Sequence, residues 1–267
     1  MISTLAKYEK TIMELPKISI ITPSLNQGLF IEETIQSVLS QDYPNLEYLI
    51  VDGGSTDDTM QIVSKYNAHL FWISEKDNGQ AAAINKGLRL VDGDIVTFLN
   101  SDDLYQPGTL MAVGEFFASH AEANWLTGLC INIDQSGNEI RQCIRLYKNF
   151  WLRWNNHSIL QVLNYISQPS TFWKRSAMNK VGYLNEQLHY TMDYDYWLRL
   201  GQHYPLHVLD RNLAKFRIHS NSKSGATTYR QFDEELQVVE QYYTGLPIFL
   251  HRIHRAITIK IYQQELK

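Results

Sequence analysis

The run Ile95-Val96-Thr97-Phe98-Leu99 is apolar and rich in β-branched and aromatic residues, the composition of a strand buried on both faces of a parallel sheet. Within four further residues, Asn100-Ser101-Asp102-Asp103, the chain passes from core to two adjacent carboxylates. In open α/β sheets, ligands bind in the crevice beyond the carboxyl ends of the strands. Adjacent carboxylates repel each other unless a cation neutralises them. Hard oxygen ligands at a strand end suit Mn²⁺ or Mg²⁺, which such sites share with substrate phosphate oxygens. An isolated Ser-Asp-Asp reads equally as a solvated turn, so the surrounding pattern has to decide.

That pattern repeats. Lys17 to Thr22 reads as a short buried strand, with Pro23 to Gly28 as its exit turn. A helix follows to about Gln41, its Ile31, Ile35, Val38 and Leu39 at helical spacing. Leu46 to Val51 is a second strand with the exit loop Asp52 to Asp58, and His69 to Ile73 a third. The alanine-rich stretch Gly79 to Leu90 is a helix, Gly93 to Leu99 the fourth strand, and Pro107 opens another helix. Strands alternating with helices of this length specify right-handed βαβ units and a parallel sheet. After about residue 120 the alternation changes. Trp125 to Asp134 and Glu139 to Tyr147 read as a hairpin about Gln135-Ser136-Gly137-Asn138. A symmetric turn there puts Cys130 opposite Cys143, both as reduced thiols. A strand at Ser170 to Trp173, a helix at Asp193 to Gly201 and a strand at Leu213 to His219 follow. Two tail helices, Tyr229 to Tyr243 and Pro247 to about Gln264, complete the chain. The expected fold is α/β, a mostly parallel central sheet flanked by helices, with a small hairpin and C-terminal helices.

Composition narrows the function. The 267 residues, 44% hydrophobic and 19% charged, suffice for one large domain with a sizeable core. A formal charge of −4 argues against nucleic acid as a partner, because there is no basic excess to meet phosphates. The first strand is not followed by Gly-x-G-x-x-Gly, nor does Gly-x-x-x-x-Gly-Lys-Ser/Thr occur, which disfavours dinucleotide oxidoreductases and P-loop kinases. No run is long and apolar enough to span a membrane, Met1 to Leu15 reads as a mixed polar lead-in, and only two cysteines are present. A protein of the reducing cytoplasm is expected. In the tail, His251, Arg252, His254, Arg255 and Lys260 alternate with Ile and Leu. That pattern suits an ordinary packing helix, or peripheral contact with an anionic inner membrane face.

Four strand exits carry polar residues, at Thr22 to Asn26, Asp52 to Thr56, Asp77 to Gln80 and Asn100 to Asp103, and a parallel sheet opens them all on one edge. Read in order, Ile18-Ser19-Ile20-Ile21-Thr22-Pro23-Ser24-Leu25-Asn26, Val51-Asp52-Gly53-Gly54-Ser55-Thr56-Asp57-Asp58-Thr59, Asp77 to Gly87, Asn100-Ser101-Asp102-Asp103 and Met192-Asp193-Tyr194-Asp195 resemble the inverting family 2 glycosyltransferases of the GT-A fold. The resemblance runs from about Lys17 to Ser224. It implies transfer of a sugar from a nucleotide diphosphate sugar, UDP-linked ahead of GDP- or dTDP-linked, to a saccharide or lipid-linked saccharide in cell-surface polysaccharide assembly. It places Thr22, Pro23, Asn26, Asp52, Lys86, Ser101 and Asp102 on the nucleotide, with Asp52 on the edge of the base. Asp102, Asp103 and His219 become the site of Mn²⁺ or Mg²⁺, and Asp193 the general base. It also implies a GT-A domain over residues 1–224, with a nucleotide-binding half at about 17–120, an acceptor half at 121–224, and a helical tail at 225–267 packed on it.

The chain departs from the family pattern at three positions. Gly53 stands for the second Asp of the usual Asp-Asp-Gly-Ser run, Asn100 for the leading Asp of the metal motif, and Met192 for a Glu before the base. A non-catalytic nucleotide-sugar or metal-binding module and a sugar nucleotidyltransferase are the competing readings. Between the two acids of the last motif, helical spacing pairs Asp195 with Arg199 four residues on. It leaves Asp193 beside Tyr196, Trp197 and Leu200.

Overall fold

In the computed structural model, which describes residues 14–220, 222 and 228–265, the apolar runs assemble into one eight-stranded sheet. All but the last two residues of the lead-in expected at Met1 to Leu15 lie outside the described residues. The strands are β1 (Ile18–Ser24), β2 (Leu46–Asp52), β3 (Phe71–Ser74), β4 (Ile95–Phe98), β5 (Leu104–Tyr105), β6 (Trp125–Ile133), β7 (Thr171–Lys174) and β8 (His207–Arg217). Their spatial order is β3-β2-β1-β4-β7-β6-β8-β5. The pairs β1–β2, β1–β4, β2–β3 and β6–β8 run parallel, whereas β4–β7, β6–β7 and β5–β8 run antiparallel. The sheet is therefore mixed. The first half is parallel as expected, and the chain beyond residue 120 extends the same sheet through β7.

Side-chain alternation along the strands feeds two cores. Ile18, Ile20, Tyr48, Ile50 and Ile95 face α1 (Ile31–Leu39), α2 (Thr59–Ser64) and α4 (Thr109–Ser119). Ile21, Leu49, Val51, Val96 and Phe98 face α3 (Gln80–Leu90), α7 (Arg175–Val181) and α8 (Met192–His203). Gly87 lets α3 lie close on β1, since a Cβ there would stand 2.6 Å from Ile21 Cγ2. Helix α8 is buried almost all round, with Trp197 packed against Trp125 and Trp173. Beyond it lies α9 (Thr228–Tyr242), followed by α10 (Leu246–Glu265).

The expected hairpin after residue 125 is absent. Its turn forms, with Asp134 Oδ1 accepting the Ser136 and Asn138 N–H groups at 2.8 and 2.9 Å and Gly137 at φ 86°. The return strand is reduced to a single bridge, Ile133 to Glu139. Arg141 then takes φ 52° and the chain enters α5 (Gln142–Arg153), followed by the single-turn α6 (His157–Leu160). The residues α5 turns inward, Ile144, Lys148, Trp151 and Leu152, recur at helical spacing, which outweighs their strand propensity. Cys130 is consequently buried in β6 while Cys143 is exposed on α5, so the two are not cross-strand neighbours; both are free thiols.

The far end of the sheet closes on the exit of β4 through one buried residue. Arg217, the last residue of β8, is 2% exposed. Its backbone N–H donates to Asp103 Oδ1 at 2.9 Å and its Nε to the Asp102 carbonyl at 2.9 Å. The guanidinium also donates to the Gln135 carbonyl and to Glu33, and lies over the Phe30 ring. Asn100 Nδ2 donates to the other Asp103 oxygen at 3.1 Å. Asp103 thus accepts two donors while fully buried, and an amide in its place would turn an N–H toward one of them. Asp103→Asn is expected to lower stability by roughly 1–3 kcal/mol, read as a lower midpoint in thermal unfolding followed by circular dichroism. An unchanged midpoint would mean that this buried contact does not hold the fold.

Candidate active site

All four predicted exits open on one edge of the sheet, but they use their polar residues differently. Asp52 is completely buried. Its Oδ2 accepts the N–H groups of Gly54 and Ser55 and the Ser74 hydroxyl at 2.7–3.0 Å, and its Oδ1 accepts the Ser55 hydroxyl at 2.5 Å. The carboxylate closes a turn between β2 and β3. Thr22 is equally buried, its hydroxyl 3.1 Å from that of Tyr48 on the face away from α3. Pro23, next along β1, falls on the α3 face. Asn26 is exposed, with φ 53°, a left-handed conformation that Asn tolerates. Its Oδ1 accepts the Thr56 N–H at 2.9 Å and its own N–H donates to Ser55 Oγ at 2.7 Å, tying the first exit to the second. Lys86 on α3 is ion-paired with Glu75.

At the exit of β4 the two adjacent aspartates part company. Asp103 points into the fold, where burial and the neighbouring Asp102 charge push its carboxyl well above the usual carboxylate range. Each of its oxygens accepts a hydrogen bond, from the Arg217 N–H and from Asn100 Nδ2. Asp102 remains half-buried, with its Oδ2 3.0 Å from His219 Nε2. His219 comes from 117 residues away and packs on the Phe30 ring at 4.6 Å. Ser101 beside them is buried. Two cis ligands of an octahedral ion, each about 2.1 Å from it, stand about 3.0 Å apart, so an imidazole nitrogen and a carboxylate oxygen at this separation fit a divalent cation. Among the described residues no group of three or more His, Cys, Asp or Glu side chains is arranged to hold one. A cation here would complete its shell with oxygens of another molecule. Asn100 also accepts from Gln80 Nε2 at 2.7 Å, joining the start of α3 to this exit.

The third part of the site is the start of α8. Asp195 is 1% exposed; its Oδ2 takes a two-pronged contact from Arg199 at 2.8 and 3.0 Å and its Oδ1 the Tyr242 hydroxyl at 2.6 Å. It is a structural anchor. Asp193 lies inside the first turn and is half-buried. Thr191 makes no side-chain cap, and the cap comes from α9: Glu234 accepts the N–H groups of His189, Tyr190 and Thr191 at 2.6–2.9 Å and the Thr191 hydroxyl at 3.0 Å. Near Asp193 lie Lys148 of α5 and Glu235 of α9. Burial lowers the Lys148 ammonium and the Asp193 charge opposes that shift. Burial raises the Glu235 carboxyl to about 7, with the Asp193 charge adding to it.

Sequence reasoning singled out neither Lys148 nor Arg217 nor the Glu234-Glu235 pair. The signal for Glu235 was present. Phe232, Glu235, Val238, Val239 and Tyr242 share one face of α9, and an acid inside an apolar stripe marks a buried charge.

The family model for glycosyl transferase family 2 matches residues 19–183. Chondroitin synthase of Escherichia coli is 26% identical over 241 residues, covering 89% of this chain and 34% of that protein. The chain spans only 40% of the length of two Rickettsia relatives matched over about nine tenths of its own. Two solved structures share the fold. S. aureus TarS 1–349 in complex with UDP-GlcNAc superposes with TM-score 0.65 at 20% identity, covering 83% of this chain and 65% of that one. The mannosyltransferase PcManGT from Pyrobaculum calidifontis, in complex with GDP-Man and Mn²⁺, gives TM-score 0.66 at 19% identity, covering 91% and 69%. With its mixed sheet, its ordered exits and a family match across more than half its length, this chain belongs to glycosyl transferase family 2.

Proposed function

We propose that the chain transfers a sugar from a nucleotide diphosphate sugar to an acceptor hydroxyl with inversion. The observation that carries this reading is the Asp102–His219 pair at the exit of β4, spaced for a divalent cation and short of ligands that a diphosphate would supply. Asp102 and His219 would hold Mn²⁺ or Mg²⁺ there, which would supply neutralisation of charge on the leaving diphosphate, and Arg217 keeps the two strand ends in register. Asp193 takes the proton of the acceptor hydroxyl. Its approach to the cleft is fixed by the Glu234 cap. The TarS and PcManGT complexes, with UDP-GlcNAc and with GDP-Man and Mn²⁺, support a nucleotide sugar and a divalent ion as the chemical classes. We favour a UDP-linked donor and a saccharide or lipid-linked saccharide acceptor in cell-surface polysaccharide assembly, in line with the chondroitin synthase relationship. Among the described residues no helix is long and apolar enough to cross a membrane. Exposed Leu246, Phe249, Ile253 and Ile257 on α10 fit peripheral contact with the inner membrane face of the cytoplasm.

Incubation with Mn²⁺ and a panel of nucleotide sugars is expected to release the matching nucleotide diphosphate, and excess chelator to stop it. Asp102→Asn should abolish release, and Asp193→Asn should lower kcat by about 10²–10⁴-fold with nucleotide affinity nearly unchanged. Turnover that persists in chelator, or full activity in Asp193→Asn, overturns the roles assigned. Binding without any release favours a non-catalytic module instead.

The acid beside the base gives a separate expectation. With its folded value raised to about 7, Glu235 keeps its proton in the folded state while an unfolded chain loses it from about pH 4.5 upward. Folding is therefore penalised increasingly between those values, and fully above pH 7. Glu235→Gln removes the penalty and should stabilise the protein at pH 8 by up to about 3 kcal/mol, with little change at pH 4. Thermal unfolding across that range checks it, and a pH-independent difference between variant and parent refutes it.

A further inference from the structure

The nucleotide reading requires something to recognise the base, and Asp52 is fully buried, with both its oxygens hydrogen-bonded inside its own turn. The position after it explains how the site manages. Gly53 stands where the family pattern carries an Asp, and its φ is not positive, so its backbone does not require glycine. Space does. A Cβ on Gly53 would lie 2.8 Å from Asp77 Oδ2, closer than real Cβ atoms come, and a tight 3.2 Å from its Cγ. The carboxylate of Asp77, delivered by the β3–α3 loop, fills the volume that a side chain at 53 would take.

Asp77 is held there by its own turn. Its Oδ1 accepts the Gly79 N–H at 2.8 Å, while Oδ2 is the oxygen nearer Gly53. The residue is half-buried, unlike Asp52. Gly53 is anchored to the first exit by donating its N–H to the Ser24 carbonyl at 2.8 Å, and by strand alternation it falls on the α3 side with Pro23. From Asp77 the start of α3 leads through Gln80 to Asn100, two residues from Asp102. A base at Asp77 and a diphosphate at Asp102 are the two ends of that one edge.

We propose that Asp77 is the base-reading residue of this chain, its carboxylate accepting the ring N–H of uracil or guanine above the bare backbone of Gly53. Both bases present an N–H between or beside carbonyls. Cytosine and adenine present a lone pair at the equivalent ring nitrogen and would face the carboxylate acceptor to acceptor. This inference rests on the nucleotide-sugar reading above and deepens it.

Calorimetric titration of UDP, GDP, CDP and ADP in the presence of Mn²⁺ tests it. The wild type is expected to prefer UDP or GDP over CDP and ADP, and the preferred diphosphate identifies the base. Asp77→Asn retains an oxygen for the Gly79 N–H, so the fold and thermal midpoint should persist. Affinity for the preferred diphosphate should fall by about 10–100-fold, with CDP and ADP little changed. The double variant Gly53→Asp/Asp77→Ala returns a carboxylate to the same volume from the other side, and should recover part of the lost preference. Unaltered affinity and preference in Asp77→Asn, while the wild type binds, overturns the assignment of Asp77. Absence of binding of all four to the wild type overturns the donor reading itself.

Discussion

The contact on which the rest of the structure depends is the one between Arg217 and Asp103. Strand β5 is only two residues long, so by itself it pairs weakly with β8. The Arg217 backbone N–H on the buried Asp103 carboxyl, and the guanidinium on the Asp102 carbonyl, join this strand end to one more than a hundred residues later in the chain. Burying such charges is costly unless every donor and acceptor is matched. Here Arg217 is matched by two carbonyls, a carboxylate and an aromatic face. Because Asp102 and His219 flank this pair on either chain segment, their 3.0 Å separation follows from it. A site assembled from two distant exits inherits its geometry from the core beneath.

The acids at these exits sort into two sets by their hydrogen bonds. Asp52, Asp103 and Asp195 are buried and fully engaged, closing a turn, a sheet edge and a helix. Asp77, Asp102 and Asp193 are half-buried and stand at the start of α3, the end of β4 and the start of α8. In the pairs 102/103 and 193/195 one acid is buried while the other is half-buried. The adjacent aspartates at 102 and 103 thus differ in burial and in partners.

Much of this was legible from the residues. The alternation of apolar runs and amphipathic helices gave β1 to β4, α1, α3 and α4, because local periodicity and local burial coincide there. The spacing of Asp195 and Arg199 gave their pairing. What failed was non-local. Nothing in Thr171 to Lys174 announces that it runs antiparallel between β4 and β6, and so joins both halves in one sheet. Glu139 to Tyr147 is rich in strand formers, yet the core beside β6 was already filled by β7 and β8, leaving that segment to form a helix on the surface. A motif also names residue types without saying which oxygens the fold itself uses, so the burial of Asp52, Thr22 and Asp103 was not legible in it.

The Glu234 cap has a consequence for modularity. The segment matched by the family model ends at residue 183, before α8 begins, while the carboxylate that seals the start of α8 arrives on α9. Tyr242, at the other end of α9, grips the same helix through Asp195. The terminal helices are therefore not an appendage to a finished catalytic unit. Recombining the front of one relative with the back of another would exchange the two clamps on α8 along with everything they hold. A crossover in this chain that keeps both clamps on α8 has to fall after α9, beyond the end of the segment matched by the family model.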